Sequence, residues 1–65
     1  MTSRVHTLRR MAHKWDGIAR EAGTTATLFE PSTIAAKCRQ VEHQCQQLAA
    51  DLAAEADALE GKHAS

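Results

Sequence analysis

The sequence is poor in the residues that small proteins use to reinforce a thin core. Its 65 residues include two cysteines, one proline, three glycines, one tryptophan, one phenylalanine and no tyrosine. Two cysteines exclude a disulfide-rich scaffold, and Cys38 and Cys45 would lie about 10.5 Å apart along a helix, too far for an internal bond. So few aromatic rings also exclude a stacking platform for single-stranded nucleic acid.

Long apolar runs are absent as well. Residues 1–12 carry charges and no apolar stretch of the length that a signal peptide or a membrane span needs. Because free thiols are kept in reducing compartments, we expect a cytoplasmic protein with no membrane association. What the sequence has in quantity is alanine, accompanied by Gln, Glu, Arg and Leu, and this composition is typical of long, regular helices.

A stripe of apolar residues at alternating spacings of three and four predicts the first helix. Its members are Val5, Leu8, Ala12, Trp15, Ala19 and Ala22. Ser3 or Thr2 can cap the start by accepting a backbone hydrogen bond, and Gly23 suits the left-handed residue that ends many helices. Helix one is therefore predicted over residues 3–22, with Met11 and Ile18 widening its apolar side.

A second stripe with the same spacing predicts a longer helix over residues 32–60. Its members are Ile34, Cys38, Val41, Cys45, Leu48, Leu52, Glu55 and Leu59. Ala35, Ala49 and Ala56 form one shoulder of this stripe, which would let a neighbouring helix approach closely. Residues 23–31 are predicted as the connecting loop, with Leu28 and Phe29 folded over the end of the hairpin, and residues 62–65 as a frayed C-terminus.

The charges predict how the two helices pair. Cations dominate residues 1–22, whereas residues 49–61 carry only acidic charges, so the net charge of zero conceals two opposite poles. In an antiparallel hairpin the poles lie side by side, with Arg4 and Arg9 alongside residues 48–55. We therefore predict one all-α helical-hairpin domain over residues 1–65, with coiled-coil-like packing. The expected contacts join Val5, Leu8, Trp15 and Ile18 to Val41, Cys45, Leu48 and Leu52.

The predicted second helix outruns the first by about two turns, so residues 55–59 would lack a cover within one chain. A homo-oligomer, with a dimer favoured, or another helical protein would cover them and complete a helical bundle. The expected function is that of a non-enzymatic protein-interaction module, a small adaptor or regulator. Its expected interface is Trp15, Val41, Leu48, Leu52 and Leu59.

Sites for chemistry are not evident. The cysteines and histidines lack the spacing of a zinc site, and two packed helices offer little concavity in which to shield a reaction. We therefore expect no metal, no cofactor, no small-molecule substrate and no catalytic residue.

The alternative function is that of a small dimeric nucleic-acid-binding regulator. Four cations of helix one could neutralise phosphates: Arg4, Arg9, Arg10 and Lys14. In addition, residues 18–25 resemble the first helix and turn of helix-turn-helix repressors, with Ala22 and Gly23 at the turn. Pro31 would end the corresponding recognition helix after about six residues, so no base-contacting role is carried over.

Overall fold

The computed structural model describes the backbone of residues 3–64 and the side chains of residues 3–61. The chain forms two helices, α1 (Arg4–Leu28) and α2 (Thr33–Ala64), which pack along their length as a hairpin. The predicted all-α helical hairpin is thereby confirmed. α2 includes residues 62–64, where the sequence predicts a frayed end, and Ser65, like Thr2, lies outside the described residues.

Local hydrogen bonds explain where each helix begins and where α1 ends. The Ser3 hydroxyl accepts from the His6 N–H at 3.0 Å, and the Ser32 hydroxyl accepts from the Ala35 N–H at 3.0 Å. Each bond satisfies a backbone donor that has no partner within the first turn of its helix. α1 ends where the Phe29 N–H donates to the carbonyls of Thr25 and Ala26.

Gly23 does not end the first helix, so the predicted boundary at residue 22 and the predicted loop over residues 23–31 are wrong. The backbone of Gly23 is helical and α1 continues to Leu28, which shortens the connection to residues 29–32. Gly23 is buried, and a Cβ there would collide with the carboxylate of Glu42. The glycine thus leaves room for a side chain of α2, a use that a single sequence does not distinguish from a C-terminal cap.

The hydrophobic plug predicted from the loop is also wrong. Leu28 is the last residue of α1 and exposes 75 % of its surface, and Phe29 in the turn exposes 53 %. A turn of four residues is too short to fold back over the end of the hairpin. Both side chains therefore remain in contact with solvent at the turn end.

The later turn also changes the register of the pairing. It moves the centre of the connection by about three to four residues, so each residue of α1 lies opposite a residue of α2 about seven positions later than predicted. Ala56 is consequently fully buried and Leu59 is half-buried beside Arg4 and Val5. The prediction that residues 55–59 lack a cover is wrong, because the longer α1 reaches them.

The seam between the helices is made of small side chains. Its buried apolar residues, none more than 8 % exposed, are Ala19, Ala26, Ala35, Cys45, Ala49 and Ala56. Alanine lets two helix axes approach to the lower end of the usual 8–10 Å range. The seam therefore uses the alanine shoulder of α2, whereas Val41 and Leu48, predicted to pack on α1, are 45 % and 39 % exposed.

The resulting hairpin is a single layer of helices. Its Cα atoms extend over 49 × 20 × 11 Å. Among the described side chains, no large one is fully buried. A layer this thin has two broad faces, and their different chemistry is what gives the molecule a candidate site.

A candidate protein-interaction face

Each helix carries two overlapping apolar stripes, and only one of them is used in the seam. On α1 the second stripe has the spacing four, three, four, and Phe29 continues it into the turn. Its members on the helix are Leu8, Met11, Trp15, Ile18 and Ala22, with the polar Arg4 and Thr25 at its ends. On α2 it is the stripe that the sequence predicts, from Ile34 to Leu59. Residues such as Trp15 and Leu52 belong to both stripes, so they border the seam and the open surface at once.

The two second stripes lie on the same side of the hairpin. Near the turn, Ala22 and Thr25 of α1 line a shallow groove together with Ile34 and Val41 of α2. At the open end the corresponding groove is lined by Arg4, Thr7, Leu8, Glu55 and Leu59. The two stripes therefore form one continuous surface from the turn to the helix ends.

We call this surface the apolar face and define it by Met11, Trp15, Ile18, Ile34, Val41 and Leu48. Trp15 and Ile18 are half-buried. The other four expose 39–58 % of their surface: Met11, Ile34, Val41 and Leu48. Scattered apolar residues are normal on a protein surface, whereas a row of them spaced at helical repeats on two adjacent helices is typical of an interaction site.

The opposite side of the layer carries ion pairs and, between them, a shallow groove lined mainly by alanines. Arg9 lies 2.8 Å from the carboxylate of Asp57 and also contacts Glu60, so the basic start of α1 is joined to the acidic part of α2. The predicted pairing of opposite poles is thus present for Arg9. Asp16 and Arg20 form a further ion pair at 2.7 Å on the same side. We call this side the polar face.

A second charged cluster on the polar face joins α2 to the turn. Arg39 donates to Glu30 at 2.6 Å and to Glu42 at 3.2 Å, and it also reaches the Thr27 hydroxyl at 3.3 Å. The hydrogen bonds to Glu30 and Glu42 raise the pKa of Arg39 above its ordinary value, so the guanidinium remains charged. Charge patterning did not predict this cluster, although Arg39 and Glu42 have the i, i+3 spacing of a helix ion pair.

The residues predicted as a protein interface fall on or beside the apolar face. Val41 and Leu48 lie within it and are exposed. Trp15, Leu52 and Leu59 are half-buried and lie where it meets the seam. The face also includes Met11, Ile18 and Ile34, which the predicted interface did not contain, although Met11 and Ile18 were recognisable as flanks of the first stripe.

The four cations predicted to contact nucleic acid do not share one surface. Arg9 is on the polar face and paired with two carboxylates, whereas Arg4 lines the groove at the open end of the apolar face. Arg10 and Lys14 are exposed, and a rotation of about 100° per residue directs Arg10 away from Arg9. The resemblance to a helix-turn-helix also ends here, because α1 continues without a turn through Gly23.

The described residues show no arrangement for metal chemistry and no membrane-spanning helix. Within them, no three His, Cys, Asp or Glu side chains converge on a point where a metal ion could sit. Cys38 and Cys45 are free. Neither α1 nor α2, as far as each is described, contains an apolar stretch long enough to cross a bilayer.

Comparisons with known proteins identify no relative of this chain. The sequence matches no protein-family model, and neither curated proteins nor solved structures show significant similarity to it.

Proposed function

We propose that this protein is a non-enzymatic protein-interaction module whose apolar face is covered by another polypeptide. A small adaptor or regulator of the cytoplasm is the role that such a module would have. The observation that carries the proposal is the presence of a second heptad stripe on each helix, with both stripes on the same open side of the hairpin. Two adjacent stripes per helix are what a four-helix bundle requires, whereas an isolated helix pair needs one.

Energetics supports the same proposal. Burying a large apolar side chain completely is worth about 1.5–3 kcal/mol, and four residues of the apolar face leave 39–58 % of their surface in water. Covering each of them would therefore add about 1 kcal/mol. A small domain is stable by only a few kcal/mol, and this hairpin has buried alanines where larger proteins have leucines and phenylalanines. A partner on the apolar face would supply the missing burial.

Nucleic-acid binding has weaker support. Among its predicted contacts, Arg9 is already paired with Asp57 and Glu60, and Arg4 lines the groove of the apolar face. Arg10 and Lys14, one helical turn apart, are then the only two of the four predicted cations left on a common exposed surface. Phosphate binding would have to replace an ion pair that the fold already contains, which reduces the gain from releasing counterions.

The proposal is tested by placing a charge on the apolar face. Leu48→Asp puts a carboxylate in its centre, and Gln47→Asp puts the same group on an exposed neighbouring residue of α2 as a matched control. Both variants and the wild type are compared by light scattering and by thermal unfolding monitored by circular dichroism. We expect Leu48→Asp to abolish the association, or the partner-dependent stability, that the wild type and Gln47→Asp retain.

If the partner is a different protein that is absent from the sample, the isolated chain should behave in a recognisable way. The chain alone would then be a monomer with broad unfolding and would bind an apolar dye, because its face is uncovered. A monomer that unfolds cooperatively, binds no dye and tolerates Leu48→Asp as well as Gln47→Asp would refute the proposed function.

A further inference from the structure

We infer that a second copy of this chain covers the apolar face. The two hairpins pack face to face and point in the same direction, so that their turns lie at the same end. The inference rests on the proposed function and specifies its partner and geometry. In this arrangement a two-fold axis runs along the hairpins, and α1 of each copy lies on α2 of the other. The product is a four-helix bundle in which every helix is antiparallel to its two neighbours.

The size of the apolar face matches what a pair of copies needs. The layer is 49 Å long and 20 Å wide, so one face offers an area close to the roughly 800 Å² per partner that stable interfaces bury. A symmetric dimer also requires a surface that is complementary to itself. The apolar face satisfies this condition because both of its stripes have the same heptad spacing and nearly the same length.

Two charged residues on the face select the direction. Arg4 and Glu55 line the groove at the open end, opposite each other on α1 and α2. With the hairpins in the same direction, Arg4 of one copy lies on Glu55 of the other, and two such pairs close the open end. In the head-to-tail alternative, Arg4 would lie on Phe29 and Glu55 on Ile34, so charges would be desolvated against apolar side chains without a partner.

The apolar turn end supports the same direction. Phe29 and Ile34 expose 53 % and 58 % of their surface beside the turn. In the same-direction dimer Phe29 of each copy lies beside Ile34 of the other, so the two exposed side chains cover one another. Phe29 and Ile34 thus meet at one end of the bundle, and Arg4 and Glu55 meet at the other.

The edges of the face are also complementary between copies. Lys14 and Glu21 flank it on α1, and Lys37 and Asp51 flank it on α2. When α1 lies on α2 of the other copy, Lys14 comes within about one turn of Asp51, and Glu21 within about one turn of Lys37. Opposite charges on the two edges favour association of two copies over contact between like charges.

A mixing experiment tests the contact at the open end. Arg4→Glu and Glu55→Arg are purified separately, and each alone places like charges between copies and within the hairpin. The contact within each hairpin is unchanged when the two variants are mixed, so a preference for the mixed dimer reports only the contact between copies. We expect each variant alone to associate about tenfold more weakly than wild type, and native mass spectrometry to show the mixed dimer well above the statistical half.

A distance measurement tests the direction itself. Gly61→Cys introduces one spin-label site near the end of α2, where a Cβ has free space, in a background with Cys38→Ala and Cys45→Ala. At 1.5 Å per residue, the two labels are expected about 25 Å apart in the same-direction dimer and about 50 Å apart in the head-to-tail dimer. Light scattering compares the mass of the labelled protein with that of wild type, to check that the cysteine substitutions and the label leave association unchanged.

The outcomes separate this inference from the proposed function. A distance of about 50 Å, or equal amounts of mixed and unmixed dimers, overturns the direction and leaves the interaction face standing. A wild-type monomer that binds an apolar dye overturns the second copy and leaves a different partner for the same face. A cooperative, dye-free monomer overturns both.

Discussion

The alanine seam makes a quantitative prediction at its most enclosed positions. Ala56 of α2 exposes 0 % of its surface. Ala56→Leu would add three carbon atoms between two helix backbones that are held close by small residues. If the helices could move apart without loss, the added carbons would stabilise the protein by about 0.8 kcal/mol each. Overpacking of a closed contact instead costs about 1–3 kcal/mol, and the separation of the axes would weaken every other contact of the seam.

We therefore expect Ala56→Leu to lower the free energy of unfolding by about 1–3 kcal/mol. For a domain of this size each kcal/mol corresponds to about 4–8 °C in Tm. The control is Ala54→Leu, an exposed alanine on the same helix with the same change in helix propensity. Thermal unfolding by circular dichroism is measured for both variants at two protein concentrations, because association contributes to the apparent stability.

The comparison has a refuting result. If Ala56→Leu unfolds at the temperature of Ala54→Leu or above it, the seam contains space for a leucine. The buried side of α2 would then be the stripe that contains Val41 and Leu48, and the apolar face would not be open. The same pair of variants thus tests the packing on which the proposed site depends.

Two further predictions concern the polar face and the glycines. Arg9→Ala should lower the free energy of unfolding by about 0.5 kcal/mol at low salt and by less at 1 M salt, because its ion pairs are exposed. The control Arg10→Ala, at the exposed neighbouring residue, should have almost no effect. Denaturant unfolding over a series of salt concentrations measures both variants, and equal effects for the two arginines would contradict the pairing. Gly17→Ala should raise the free energy of unfolding by about 1 kcal/mol, because a Cβ there meets nothing within 4 Å. Gly23→Ala should raise it by less, because the new methyl group displaces the Glu42 side chain. A larger gain at Gly23 in the same denaturant titration would show that Glu42 does not lie against this glycine.

The first helix illustrates what a single sequence can predict. Its apolar stripe from Val5 to Ala22 is the one that borders the seam, and Ser3 caps its start as expected. Periodicity over six residues identifies a helix face because all of them must lie on one side. Its end was harder to predict, since Gly23 serves equally well as a left-handed cap or as a point of close contact, and only the position of Glu42 distinguishes the two uses.

The second helix shows what periodicity leaves undetermined. Its large residues predict a seam through Val41 and Leu48, but α1 packs on the neighbouring alanines Ala49 and Ala56 instead. On α2 the alanine stripe and the stripe of larger residues lie one residue apart in heptad position. The pattern of large apolar residues therefore identifies the whole apolar side of the helix, but it does not indicate which part packs on α1. The division depends on which helix comes closest, and alanine allows the closest approach.

The contrast between the two faces has a consequence for how far an assembly can grow. In the described part of the chain, the ion pairs of Arg9 and Arg39 project from the side opposite Met11 and Val41. Stacking a further layer there would bury guanidinium and carboxylate groups at a cost of several kcal/mol per ion. A partner bound to the apolar face, as proposed above, would therefore form a closed pair of layers with the hairpin and not an open-ended fibre.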